Sequence, residues 1–392
     1  MISLDEKLNI LKRECGDRRV KIMILGLGSV GMYLLDYLMS DGELGVEVCV
    51  VGRNEEKMRS DINIIRVASL IRGQNRSEVK MYGNVDFNDV SSIAACLEEY
   101  QPDIIVNSSR AYSGLKYGSI SWNTIRAYGI WSPLAVRYIK NIMQAYDRAG
   151  CRAVVINTSY SDAVIPWLRS AGMSYPDFGS GNINHLIPRI KFAVAEMNAI
   201  EDYWNIDVTF ATSHFHDVVI SKEGQTEGVK QLISVRYGGR KLDIVPDDIF
   251  SRCRIAMPVD AKRNMMNASS NYEIIRGVLS VIREGGEIKL HCPGVFGEIG
   301  GYPVMLDGTG EEVRAFIDER EFDIGSMRRK NRESIYLDGI EDVRDGVLIY
   351  TDELLDKVHS VFGAGLVKEV ALEDSEDVAE FLIREVIEKY RK

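Results

Sequence analysis

The sequence predicts an α/β protein, a doubly wound parallel sheet followed by an α+β domain. Two observations carry that prediction. A strand, a glycine-rich turn, a helix and a second strand follow one another through residues 20–53 (VKIMILG, then a helical stretch, then VEVCVVGR). Short apolar runs then alternate with helical periods as far as residue 159, as they do where parallel strands are joined by crossover helices. Past residue 160 the alternation is lost. The expected division is therefore residues 18–160 for the sheet and 161–392 for the α+β domain.

The first unit carries the most information. Gly26-Leu27-Gly28-Ser29-Val30-Gly31 follows an apolar strand and opens a helix with apolar residues at Val30, Tyr33, Leu34, Tyr37 and Leu38. This is the Rossmann dinucleotide-binding fingerprint in its structural context. Gly26 permits the tight turn, Gly28 lets the backbone approach a pyrophosphate, and Gly31 lets the helix pack on the strand. The helix N-terminus, with Ser29 and Val30, offers N–H groups to the phosphates. An NAD site places a carboxylate about 20 residues past the glycines, to hold the ribose 2′-hydroxyl. This chain has Gly52-Arg53-Asn54 there. Arg53 suits a 2′-phosphate, since a guanidinium fork binds two oxygens. The expected cofactor is NADP, with NAD as the alternative.

The remaining elements follow in order. Residues 55–71 read as a helix, 79–82 as a short strand, 90–100 as a helix and 103–108 as a buried strand with a polar end. Residues 132–149 read as a long helix and 153–159 as the next strand. Ligands in such sheets sit at the carboxyl ends of the strands. That singles out Ser108 to Arg110 and Asn157 to Ser159. Beyond 160, helices are expected near 186–203 and 247–254, a strand over 206–213 leading into His214-Phe215-His216, and a strand at 288–291. The Gly/Pro-rich stretch 293–307 reads as turns, and a helix is expected from 374 to 390.

Composition narrows the class. A net charge of −10 with no long basic stretch argues against nucleic acid as a partner. The basic run at residues 327–332 is short and reads as a solvated helix face. Six cysteines without CxxC spacing indicate reduced, cytoplasmic usage, with Cys49 in a buried strand. The first fifteen residues are amphipathic and charged, unlike a signal peptide. No apolar run reaches membrane-spanning length. Proteins of this fold commonly form symmetric oligomers, so a homo-oligomer is expected.

Hydride transfer needs a proton carrier and a cation for an anionic substrate. Five histidines are available, and His214, at a strand end, is the first candidate for the acid/base, with His216 second. On a strand, His214 and His216 would share a face and offer two ligands to a transition metal, but no third ligand is apparent. No metal site is assigned. Arg110, opening a loop able to close over substrate, and Arg189 are candidates to clamp a carboxylate. Tyr112 and Lys116 have the spacing of a short-chain dehydrogenase pair, but they precede the strand that pair should follow.

These pieces, in this order, resemble the lactate/malate dehydrogenase superfamily. The segments are GLGSVG, DIIVNSSR ending at Arg110, VINTS, and GSGNINHLIPRIKF followed by SHFHDVV. The resemblance implies that Arg110 lies on the loop closing over substrate and Asn157 beside the nicotinamide. It also implies that Arg189 holds the substrate and His214 shuttles the proton. The chain departs from the family at three places. Leu186 stands where the family's histidine finds its aspartate, with Asn184 and His185 the nearest polar residues. Thr158 replaces a proline, and Arg53 replaces the acid of the second strand. VGRNEEK and DFNDVSSIAACLEEYQPDIIVNSS are similar to saccharopine-dehydrogenase-type Rossmann domains, which act on carbon–nitrogen bonds. Asn182-Ile183-Asn184-His185 is similar to a motif of metal- and NAD-dependent family 4 glycosidases.

The expected function is an NADP(H)-dependent oxidoreductase acting on a carbonyl/alcohol or imine/amine carbon of a small anionic substrate. The catalytic candidates are His214, Arg189, Arg110 and Asn157. The cofactor candidates are Gly26, Gly28, Ser29, Val30, Gly31, Arg53, Asn54, Ser108 and Asn157. The alternatives are a dinucleotide-binding subunit without chemistry and a lyase or glycosidase of the family 4 type.

Overall fold

The computed structural model describes residues 2–15, 18–42, 44–73, 78–112 and 114–390, apart from the side chains of residues 115, 116 and 119. The chain opens on α1 (Leu4–Glu14), followed by β1 (Val20–Leu25), α2 (Ser29–Ser40), β2 (Val46–Val51), α3 (Glu55–Arg72), β3 (Glu78–Tyr82), α4 (Val90–Tyr100) and β4 (Ile104–Asn107). The expected loop after β4 is instead helical. A short α5 (Gly114–Ile120) runs into a π-turn over Ser121–Ile125 before α6 (Ser132–Arg148), β5 (Val154–Asn157), α7 (Ser161–Ser170) and β6 (Phe178–Gly179).

These six strands form one parallel sheet in the order β3-β2-β1-β4-β5-β6. The strand order reverses between β1 and β4, and the carboxyl ends of those two strands open a crevice. β1 and β2 bury every residue but Lys21 and Glu47, because helices cover both faces of the sheet. The sixth strand falls beyond residue 160, so the sheet extends past the expected boundary.

The second half contains α8 (Ile183–Asn198), β7 (Asp207–Ala211), α9 (His214–Glu223), β8 (Leu232–Tyr237), β9 (Arg240–Lys241), α10 (Pro246–Arg252), α11 (Asn264–Arg283), β10 (Glu287–Pro293), β11 (Gly301–Asp307) and β12 (Arg314–Ile317). Then come α12 (Ile324–Leu337), β13 (Ile340–Arg344), β14 (Val347–Tyr350), α13 (Asp352–Phe362), β15 (Glu369–Ala371) and α14 (Ser375–Leu382). The strands make three antiparallel sheets, β7-β8-β9, β10-β11-β12 and β13-β14-β15. The stretch expected to be turns holds β11, which pairs with β10 from Gly301↔Pro293 to Asp307↔Glu287. Its glycines do make the turn, with φ of 69° at Gly294 and 86° at Gly300, and the apolar run after them pairs back.

Packing brings distant parts of the chain together. On one side of the sheet, Tyr350, Leu354 and Leu382 share a core with Ile139 and Ile142 of α6 and Trp167 of α7. On the other, α1, α2 and α11 pack together through Leu8, Leu34, Leu38, Ile275 and Val278. α1 is also anchored by a buried ion pair. Lys7 Nζ lies 2.7 Å from Asp177 Oδ2, and that same oxygen accepts the Val155 N–H at 2.8 Å. The basic run lies on α12, where Arg328 pairs with Glu298, Lys330 with Glu333 and Arg332 with Asp342. Among the described residues, no helix is long and apolar enough to cross a membrane.

Candidate active site

A cleft of about 820 Å³ lies over the carboxyl ends of β1, β2, β4 and β5 and is closed from the far side by α8, α9 and the start of α11. At one end is the glycine turn. Gly26 has φ 95°, and a Cβ there would lie 2.8 Å from the Ser109 Cα. A Cβ on Gly31 would lie 2.2 Å from the Gly26 carbonyl oxygen, whereas one on Gly28 would meet nothing within 4 Å. Two glycines are thus required by packing, and the third leaves open space beside the N-terminus of α2. That terminus has no side-chain cap. Ser108 donates to the Gly26 carbonyl at 2.6 Å and braces the turn, while Asn264 donates to Ser29 Oγ at 2.5 Å. An open backbone donor set beside a Cβ-free approach fits a dinucleotide pyrophosphate.

Arg53 lines the cleft just past β2, exposed and without an ion-pair partner among the described residues. Asn54 caps α3, its side chain accepting the Lys57 N–H at 2.9 Å. Glu55 turns away to Arg59 and Asn84. Asp61, a carboxylate of the lining on α3, is paired with Lys57.

At the cleft's other end stands His214. The sequence suggested a strand end, but His214 begins α9, with Ser213 in extended conformation at the N-cap. His214 and His216 therefore lie on different sides of a helix. His216 is fully buried between Ser334 Oγ, 2.7 Å from its Nδ1, and the Thr226 carbonyl, 3.1 Å from its Nε2. Burial pushes it down to about 4. No group of three metal-ligating side chains occurs among the described residues.

His214 Nδ1 lies 2.9 Å from Oδ2 of Asp338, which is wholly buried at the end of α12. Asp338 is itself held in place: its Oδ1 accepts the Tyr128 N–H at 2.7 Å and its Oδ2 the Tyr160 hydroxyl at 2.6 Å. The rings of Tyr128 and Tyr160 stand edge-on to the imidazole at 4.7 and 5.2 Å. The His214 N–H donates to Asp162 Oδ1 at 3.0 Å. Burial disfavours the imidazolium, but the carboxylates of Asp338, Asp162 and Asp217 outweigh it and raise the histidine above its usual value. Burial likewise pushes the Asp162 carboxyl up to about 6 and Asp217 up to about 7, although His214 pulls both down. The second ring nitrogen, Nε2, bonds to no described residue, so it is the nitrogen free to exchange a proton in the cleft.

Two expected residues are not in the cleft wall. Arg189 is buried on α8, with one Nη donating to the Cys253 carbonyl at 2.9 Å and the other touching the Met257 sulfur, so both ends of its fork point away from the cleft lining. Asn157 is also buried. Its amide donates to the Ser159 carbonyl and Ser161 Oγ, and its oxygen accepts from Asn107. It shapes the turn after β5 and leaves Thr158, Ser159 and Tyr160 to line the cleft. Arg110 does line it. Tyr112 lies in the turn after Arg110, but the Lys116 side chain lies outside the described residues. Arg263, in the turn before α11, also lines the cleft and has no ion-pair partner among the described residues. Sequence reasoning missed it, along with Asp338, Asp162 and Tyr160. The only local signals were an Asp-Gly step after a helix and a charged residue ahead of one.

Comparison with known proteins places this architecture. No family profile and no curated protein sequence matches the chain. Solved structures do. Malate dehydrogenase of Cryptosporidium parvum aligns with a TM-score of 0.53 at 16% identity, over 82% of this chain and 98% of that one. Lactate dehydrogenase of the same organism, solved with lactic acid and nicotinamide adenine dinucleotide, gives 0.52 at 14%, over 82% and 97%. Lactate dehydrogenase of Eimeria maxima, solved with NADH and oxamate, gives 0.51 at 13%, over 81% and 92%. The chain therefore has the fold of the lactate and malate dehydrogenases.

Proposed function

We propose that this protein is an NADP(H)-dependent oxidoreductase. It moves a hydride to or from the carbonyl/alcohol carbon, or the imine/amine carbon, of a small anionic acid. The observation that carries the reading is that one cleft holds both the glycine turn and a histidine oriented by a buried carboxylate. The fold and the cofactors of its structural neighbours support the same class, with a hydroxy or oxo acid as substrate.

A bound nicotinamide would supply or accept the hydride. Gly26, Gly28, Ser29, Val30 and Gly31 would hold its pyrophosphate, and Arg53 its 2′-phosphate. His214 moves the accompanying proton through Nε2. Asp338 keeps the other nitrogen protonated and stabilises the imidazolium, the role a carboxylate plays behind any histidine base. Arg110 and Arg263 bind the substrate carboxylate, Arg263 taking the part expected of Arg189. Asp338 takes the place of the aspartate missing at Leu186, from a segment far along the chain.

The test is calorimetric binding of NADPH and NADH, followed by turnover of a panel of 2-oxo acids and imines. Wild-type protein should prefer NADPH, and Arg53→Asp should weaken NADPH by about 10- to 100-fold with little change for NADH. His214→Ala should abolish turnover and leave cofactor affinity near wild type. Binding of neither dinucleotide would refute the proposal. Binding without any turnover would favour a subunit that uses the dinucleotide structurally.

A further inference from the structure

Two buried polar atoms in the cleft wall remain unpaired once the His214–Asp338 pair is accounted for. They are Oδ1 of Asp217 and Nε2 of His185, neither of which has a hydrogen-bond partner among the described residues. Both residues stand in the first turns of helices that face the cleft, Asp217 on α9 and His185 on α8. Asp217 is 7% exposed. The cations around it are His214, Arg189, Arg263 and Lys222, yet Arg189 donates elsewhere, His214 Nδ1 is held by Asp338, and none of the four bonds to Oδ1. Buried polar atoms in native proteins are nearly always satisfied, and a stranded one costs stability. Stranded atoms that line a binding cleft are accounted for if a ligand completes them.

We propose that Asp217, with His185 on the same cleft wall, reads a hydrogen-bond donor on the substrate, so that the preferred acid carries a further hydroxyl or ammonium group. This rests on the oxidoreductase reading above. An unsubstituted acid would leave both atoms stranded in the closed complex. Sites built to pair with a substrate O–H or N–H discriminate strongly against analogues that lack it.

The probes are three matched four-carbon 2-oxo acids, one unsubstituted, one with a 4-hydroxyl and one with a 4-ammonium group. Their kcat/KM with NADPH is measured for wild type and Asp217→Asn, alongside calorimetric binding to the NADPH complex and the thermal midpoint of the free protein. Wild type should favour a donor-bearing acid by at least about tenfold, and Asp217→Asn should lose most of that preference. A preference for ammonium identifies the arm as charged, and one for hydroxyl identifies it as neutral; either supports the proposal. A purely structural Asp217 predicts a lower midpoint for Asp217→Asn, whereas a stranded carboxylate predicts a higher one. Equal use of the three acids, or an equal loss for all three in the variant, overturns the proposal. Binding reads the preference without turnover. A donor preference in binding with no reaction would sink the oxidoreductase reading and leave this one standing; no preference in either measurement overturns it.

Discussion

Asp338→Asn separates the shape of the His214 pair from its charge. The side chain is wholly buried and accepts from three donors, the Tyr128 N–H, the Tyr160 hydroxyl and His214 Nδ1. An asparagine fits the same space. Its oxygen must face the Tyr128 N–H, which can only donate, so its NH₂ falls where Oδ2 was. There the Tyr160 hydroxyl can rotate to accept, but His214 Nδ1 must give up its proton and accept as well. The ring becomes neutral, protonated on Nε2, with no carboxylate behind it. Two unit charges about 4 Å apart at an effective dielectric of about 20 interact by about 4 kcal/mol. Lost from a transition state that carries the imidazolium, that is about a 10³-fold fall in kcat. The assay is nicotinamide absorbance against pH, with proton NMR of the His214 ring as a parallel titration. His214 should titrate at lower pH in the variant, while NADPH affinity and the unfolding midpoint stay near wild type. A kcat within about threefold of wild type, with an unmoved histidine titration, would refute the assignment of Asp338.

Other predictions follow from the same geometry. Asp177→Ala leaves Lys7 charged and buried on α1, so urea unfolding should show a loss of about 3–5 kcal/mol; a change below about 1 kcal/mol would mean that α1 is not anchored there. The Asp217 carboxyl titrates near 7 when folded rather than at its ordinary 3.8. Its contribution to stability is thus fully present below about pH 4 and is lost as pH rises through about 7. Asp217→Asn should flatten wild-type stability between those limits and gain about 1–3 kcal/mol at pH 7.5. Unfolding curves at pH 4.5, 6 and 7.5 that match wild type would refute this. Gly31→Ala forces a Cβ against the Gly26 carbonyl, and should remove dinucleotide binding in the calorimeter while the protein stays folded. Full retention of affinity would show that the turn can move.

How much of this was legible in the sequence depended on how local each feature was. Residues 90–100 form α4 as expected, because Ile93, Ala94, Leu97 and Tyr100 recur at helical spacing. β1, β2, β4 and β5 were equally plain, being buried on both faces. The glycine turn was readable because Gly26 and Gly31 answer local demands, a positive φ and the nearby Gly26 carbonyl. α11 was not, because its first turns are polar (NMMNASSN) and its apolar face emerges only later. His214 was expected at a strand end, and the structure places it at the start of a helix. A histidine after an apolar strand gives no sign that the chain has turned at Ser213 into a helix. Arg189 and Asn157 lie outside the cleft wall for another reason. Residue type shows what a side chain could bind, and only three dimensions show that the Cys253 carbonyl and the Ser159 turn have already claimed it. Asp338 was out of reach altogether, since nothing local distinguishes an aspartate after a helix from one that is carried into a site.

The His214–Asp338 contact joins residues 124 positions apart. The sheet that shapes the dinucleotide end of the cleft is complete once Phe178–Gly179 has been added. Synthesis from the N-terminus therefore makes the two capacities at different times, since N-terminal units fold first. A chain that stopped short of Asp338 would hold the glycine turn but leave His214 without its carboxylate. On the proposed reading, a truncated product would hold cofactor without turning it over, and turnover would itself certify that the segment carrying Asp338 had been made and docked.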